Sequence, residues 1–171
     1  MLSNIAEKSR LTLFRDVIKT LVNRIFHLEE MNGDDRCPTY LYRWTLLPTP
    51  WFKIYLHHFV ADDWSLDLHD HPKRFVTIGL RGGYIEQTPA KGGTLFWYKY
   101  WQAPWVRSFP ASHVHRIKIP DGEECWTLCI VFKAVRQWGY WPNNQWIHWR
   151  EYVGSERADR MKSCSSGGEG K

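Results

Sequence analysis

From Asn32 onward the chain reads as short extended runs, each cut off by a glycine, proline or acidic turn signal, and this pattern constrains the fold more than any other feature. Asn32-Gly33-Asp34-Asp35 opens the series with turn chemistry. Candidate strands follow at 40–47, closed by Pro48, and at 51–60, 66–71 and 75–80. Arg81-Gly82-Gly83 reads as a turn, 84–87 resumes extended, and Gly92-Gly93 punctuates again. The remaining candidates are 94–101, 106–109, 113–119 and 125–134. Many short strands at near-regular spacing predict a mainly β, antiparallel sandwich or barrel. A length of 171 residues suits one domain.

Aromatic residues make up 16% of the chain and 11 are tryptophans. Side chains of that bulk need a large core or a cavity wall to cover them. Along 125–134, Trp126, Leu128, Ile130 and Phe132 share one face and Thr127, Cys129 and Val131 the other. Bulk assigns the first set to outer packing and leaves the second for the interior.

Residues 1–33 read as an N-terminal helical segment, with the helix over 3–30. Leu11, Phe14, Val17, Ile18, Leu21, Val22, Ile25 and Phe26 recur at helical spacing. A cover laid over the outside of a sheet, a membrane-surface helix and a homodimer element are the readings of that stripe; mixed charges on its polar face favour the cover. The barrel is expected over 34–153, its aromatic end, 138–152, wrapping across to seal an edge. The polar tail, 154–171, is expected to be disordered.

The net charge of +5 is scattered, with no basic run, RNP-like or zinc-finger signature, so the sequence gives no nucleic-acid signal. No stretch approaches the ~20 apolar residues of a membrane span. Cys37, Cys125, Cys129 and Cys164 form no C-x-x-C pair and read as reduced thiols. The expectation is a soluble cytoplasmic protein.

Two histidine pairs carry the chemistry: His69-Asp70-His71 and His113-Val114-His115. Strand residues two apart share a face, so each pair can aim two imidazoles into one space. Neutral imidazole holds Zn, Fe, Ni, Cu or Mn. Of His57 and His58, only one can point inward; His27 and His148 read as structural. Asp70 faces away from its neighbours, and Asp67 shares their face if the strand runs straight.

These motifs resemble those of the cupin superfamily. Its first motif is an H-x-H followed by a Glu and a Gly; here His69-Asp70-His71-Pro72-Lys73-Arg74-Phe75 runs on to Gly82. Its second is P-x-G-x-x-H; Pro110-Ala111-Ser112-His113-Val114-His115 matches with Ser112 for Gly. A wider likeness is to small cupin-like proteins of phages and bacteria. It is carried by His69-Asp70-His71-Pro72, Leu80-Arg81-Gly82-Gly83-Tyr84 with Glu86, His115-Arg116, Trp126-Thr127-Leu128, Trp138-Gly139-Tyr140 and Trp149-Arg150-Glu151. The resemblance implies a jelly-roll β-barrel and a divalent metal (Fe, Mn, Ni or Zn) on His69, His71 and His115. His113 would be a fourth ligand, an outer partner or a substrate contact. The chain departs from the family where the motif-one Glu is replaced by Phe75 or Val76, and the motif-two Asn by Ile119. An all-histidine site, a site recruiting Glu86 and a barrel without metal all remain open.

Three function classes follow. The first is a metal-dependent enzyme acting on a small molecule, an oxygenase by family analogy, with Tyr84, Glu86 and the inward member of His57 and His58 as acid–base groups. Arg81 or Arg116 would meet an anionic substrate. The second is a non-catalytic barrel that binds a small molecule or nucleotide on its tryptophans, such as a phage protein sequestering a ligand in the host cytoplasm. The third is an interaction module dimerising through its helix.

Overall fold

The computed structural model describes residues 26–32, 38–91 and 95–156. They form ten strands and one short α-helix. The strands are β1 (His27–Met31), β2 (Leu41–Pro48), β3 (Phe52–Phe59), β4 (Lys73–Pro89), β5 (Phe96–Gln102), β6 (Trp105–Phe109), β7 (Arg116–Lys118), β8 (Cys125–Ala134), β9 (Gly139–Tyr140) and β10 (Ile147–His148). The helix, α1, is Trp149–Val153.

Eight strands join in the order β1-β2-β3-β8-β4-β5, with β6 and β7 also on β4, and β9 pairs with β10. Every pairing is antiparallel. The mainly β, antiparallel expectation holds. The pairing closes no barrel ring among the described residues; the sheet bends around a cavity instead.

The bend is made in β4. Residues 75–79 lie between β8 and β6, whereas residues 85–87 lie between β5 and β7. Arg81-Gly82-Gly83, expected as a turn, is thus a hinge inside one 17-residue strand. The register slips between Gly79 and Arg81, and Gly82 takes φ 70°. Glycine reaches that region without steric cost. A Cβ at Gly82 would stand 1.8 Å from the Glu124 carbonyl oxygen.

Two further expectations are corrected. Residues 27–31, assigned to the helix, form strand β1 and pair with residues 41–45 of β2. Cross-strand partners, including an Arg43–Glu29 ion pair, outweigh the local helical spacing there. Residues 1–25 and 157–171, and with them the rest of the helix and most of the tail, lie outside the described residues. Residues 66–71, expected as a strand, form a loop whose sheet pairing is limited to isolated bridges from His69 to His115 and Tyr140.

Alternation decides the inside of the sheet. On β3, Tyr55, His57 and Phe59 line the cavity, and on β8 Thr127, Cys129 and Val131 do so. Trp126, Leu128, Ile130 and Phe132 are half-buried on the other face, as their bulk suggested.

The aromatic C-terminal segment packs into a buried cluster of its own. Tyr152 is wholly buried, stacked on Tyr140 at 4.0 Å, and packed with Trp64, Trp138, Ile147 and Trp149. Its hydroxyl lies 2.7 Å from Ser65 Oγ and donates to Asp67 at 2.8 Å. Asp67 therefore serves this cluster rather than the histidines. Replacing Tyr152 by Ala should destabilise the protein by about 3–5 kcal/mol in urea unfolding. Tyr152→Phe, which strips the hydroxyl from buried partners, should cost about 1–3 kcal/mol. An alanine variant as stable as the wild type would mean that this segment does not seal the fold.

Candidate metal centre

Two loop segments bring the histidines together. His69 and His115 exchange backbone hydrogen bonds, each N–H donating to the other's carbonyl at 2.9 Å. His71 N–H donates to Ala111 O at 3.2 Å. The two H-x-H motifs are thus clamped side by side, although β7 proper begins only at Arg116.

Asp70 orients the first motif. It points away from its neighbours, is fully buried, and accepts from Gly139 N at 2.9 Å, Arg136 Nη1 at 2.7 Å and Trp141 Nε1 at 3.3 Å. With Asp70 held on the outside of the loop, His69 and His71 face the cavity together. Their rings lie 5.0 Å apart, and the His115 ring lies 5.2 Å from His69 and 5.0 Å from His71. Ligand nitrogens of His69, His71 and His115 fall within 4.8 Å of one another.

Glu86 supplies what the sequence left open. It is 3% exposed, not a surface strand residue, and it lies beyond His115 rather than on the cavity wall. Its Oε1 is 3.1 Å from His115 Nδ1 and 2.8 Å from His113 Nε2. Its Oε2 accepts from Arg107 Nη2 at 2.5 Å and Trp101 Nε1 at 3.1 Å. Burial pushes the Glu86 carboxyl pKa up, but the hydrogen bonds from His113, His115 and Arg107 outweigh it and hold the group well below the usual range.

A carboxylate at Nδ1 makes that nitrogen the N–H of His115 and leaves Nε2 with its lone pair. Nε2 stands 2.8 Å from His71 Nε2. Two imidazole nitrogens meeting head-on, one backed by a carboxylate, match the carboxylate–histidine–metal arrangement. Burial lowers the His69 pKa to about 4, with Asp63 opposing and His115 reinforcing the shift. Burial and the neighbouring His115, His69 and His113 lower that of His71 as well. Neutral imidazoles are the form that ligates. Glu86, His113 and His115 form a second group of donor atoms within 4.8 Å, but here the carboxylate already occupies both imidazoles.

The cavity beside the histidines has a volume of about 360 Å³, within the range of small-molecule sites. Tyr84 lines it, and Arg107 Nη1 donates to the Tyr84 hydroxyl at 2.9 Å. Arg107 is sandwiched between Trp101 at 3.7 Å and Phe109 at 4.3 Å. His57 is the inward member of its pair; His58 stacks on Trp126 at 3.9 Å and meets Glu124 at 2.7 Å. The tryptophans on the wall are Trp64 and Trp138, whereas Trp51 and Trp97 are exposed.

The arginines differ from expectation. Arg81 is exposed near Glu124, and Arg116 is buried against Ser65 O and Asp62. Neither lines the cavity; Arg43 does. Sequence reasoning passed over Arg43 and Arg107. The available signal was period-two alternation: Arg43 shares its strand face with Leu41, and Arg107 with Phe109, both buried.

No family model matches the chain, and no curated protein does. Solved structures do. The polyketide cyclase RemF from Streptomyces resistomycificus aligns over 79% of this chain and 93% of its own, at 14% identity and TM-score 0.50. A cupin domain from Bordetella pertussis aligns over 54% of this chain and 92% of its own, at 17% identity and TM-score 0.42. HppE, solved with Fe(II), aligns over 62% of this chain and 57% of its own, at 12% identity and TM-score 0.47. Among the described residues no helix is long and apolar enough to cross a membrane.

Acid should weaken the fold through these imidazoles. Unfolded histidines take up protons near pH ~6.5. Folded His69 resists protonation until about pH 4, and His57, lowered by burial and then by Arg43, until about 3. The unfolded state therefore binds more protons over that window, and stability falls as pH drops through it. The loss is about 1.4 kcal/mol per pH unit for each such imidazole. Urea midpoints of metal-free protein at a series of pH values should show this slope, and His57→Leu should make it shallower. A slope that His57→Leu leaves untouched would assign the effect elsewhere. At the level of the fold, the chain is a mainly β, antiparallel protein similar to the RemF structure, and its two histidine motifs resemble those of the cupin superfamily.

Proposed function

We propose that the protein holds a divalent metal on His69, His71 and His115 and acts as a metal-dependent enzyme on a small molecule in the adjoining cavity. One observation carries this reading: three imidazoles converge at a cavity wall while a buried carboxylate sits on Nδ1 of one of them. The donor set fits Fe, Mn, Ni or Zn. A divalent ion on neutral ligands keeps its full charge and supplies Lewis acidity, or redox chemistry if it is Fe(II).

The chain's own groups divide the remaining work. Glu86 is a positioning residue: it does not reach the cavity, and it sets the hydrogen on His115 Nδ1 so that Nε2 faces inward. His113 shares Glu86 and steadies it. Tyr84 is the catalytic candidate. Its hydroxyl accepts from Arg107, which leaves its own O–H available as a donor. Burial raises the phenol pKa, so the proton stays on at neutral pH. Tyr40, Tyr55, Phe75 and Tyr140 add an aromatic wall that excludes water from a bound ligand. That wall is also what favours the second reading, a non-catalytic binding protein for a small aromatic molecule.

Metal analysis of untagged protein separates the two. The wild type should carry stoichiometric metal after supplementation. His69→Ala, His71→Ala and His115→Ala should each abolish it, and His113→Ala should weaken it less. Glu86→Gln should lower metal affinity about 10–100-fold. A wild type that takes up none of Fe(II), Mn, Ni or Zn would overturn the enzyme reading and leave the binding protein.

A further inference from the structure

A second polar feature lies on the sheet wall of the same cavity. Arg43 on β2, His57 on β3 and Thr127 on β8 stand in direct cross-strand register. All three line the cavity. The rungs on either side carry no charged group: Thr45, Tyr55 and Cys129 form one, and Leu41, Phe59 and Cys125 the other. A guanidinium and an imidazole side by side inside such a wall need a reason, because burying polar groups costs free energy unless they find partners.

His57 has no such partner. Its Nε2 is buried and makes no hydrogen bond in the described structure. Almost all buried polar atoms in native proteins are paired, so an orphan on a cavity wall points to a group that arrives from outside. The ring is fixed by Tyr55, stacked at 5.8 Å, and Phe59, edge-on at 5.7 Å. Burial and the adjacent Arg43 lower its pKa to about 3, so His57 stays neutral and presents an N–H or a lone pair rather than a charge.

The charge on this rung belongs to Arg43. Its Nε donates to Glu29 Oε2 at 2.8 Å, Nη2 binds the same oxygen, and the guanidinium lies 4.9 Å from the Tyr55 ring centroid. Glu29 therefore holds the guanidinium by one edge, and the planar fork carries more donors than that one oxygen uses. A guanidinium, an imidazole N–H and a hydroxyl on one rung are all donors matched to a planar oxyanion.

We infer that Arg43, His57 and Thr127 form a recognition rung for a carboxylate, so that the ligands of this cavity are small carboxylic acids. The inference rests on reading this cavity as the ligand site, but it needs no metal. Cavity volume restricts the acid to a small one, and the aromatic rungs favour an apolar or aromatic body behind the carboxylate.

Benzoate and its neutral isostere benzamide test this, titrated calorimetrically into the full-length, metal-free protein. Benzoate should bind and benzamide should bind about tenfold more weakly or less, as expected when a charge-assisted pair is lost. Arg43→Met and His57→Leu should each weaken benzoate by about tenfold or more, and His57→Gln, which keeps an N–H donor, should restore most of it. The His57 ring resonances should shift on adding benzoate to the wild type. Both leucine and methionine variants should keep the wild type's metal content, which separates this rung from the three-histidine cluster. Equal binding of benzoate and benzamide would overturn the inference, as would benzoate affinity that ignores both Arg43→Met and His57→Leu. If the wild type takes up no metal yet benzoate binding still follows Arg43 and His57, the metal reading fails and the carboxylate rung stands.

Discussion

The buried carboxylate of Asp70 is the constraint on which the site depends. A charge removed from water must be met by donors, and Asp70 collects them from Gly139, Arg136 and Trp141. Gly139 and Trp141 belong to the C-terminal aromatic segment, so one side chain ties the histidine loop to that cluster. Since consecutive extended residues point to opposite sides, pinning Asp70 outward turns His69 and His71 inward. The loop has no ladder of its own, and its two bridges and this clamp take the place of one.

Glu86 plays the matching part from the other side. In the cupin pattern a carboxylate stands shortly after the H-x-H, and here that position is apolar. The carboxylate enters from the far half of β4 instead and lands behind His115. Its position follows from the hinge at Gly82, which carries the strand from one set of partners to another. Distance from the cavity turns a group that reads as a ligand into one that sets a tautomer. Arg107 links it to Tyr84, so the carboxylate, the third imidazole and the one phenol on a shared strand with Glu86 form a continuous hydrogen-bonded unit.

The cavity itself is a consequence of alternation on β2, β3 and β8. Their inward residues are mostly apolar or aromatic, but one rung carries a guanidinium and an imidazole, and it lines the cavity. The histidine cluster and this rung line the same cavity.

Period-two logic made part of this legible from residues alone. The pairing of His69 with His71, the outward turn of Asp70, and the inward set Thr127, Cys129 and Val131 all follow from alternation within one segment, which needs no knowledge of neighbours. The aromatic docking of 138–152 followed from bulk that has to be covered. What the tertiary structure alone decided involves register between distant segments: strand rather than helix at 27–31, the burial of Glu86, the choice of His57 over His58, and the placing of Arg43 and Arg107. A side chain's neighbours across a sheet are set by strands tens of residues away, and a shift of one residue exchanges the faces. Local spacing therefore names the candidate imidazoles, and only the assembled sheet determines which carboxylate and which cations meet them.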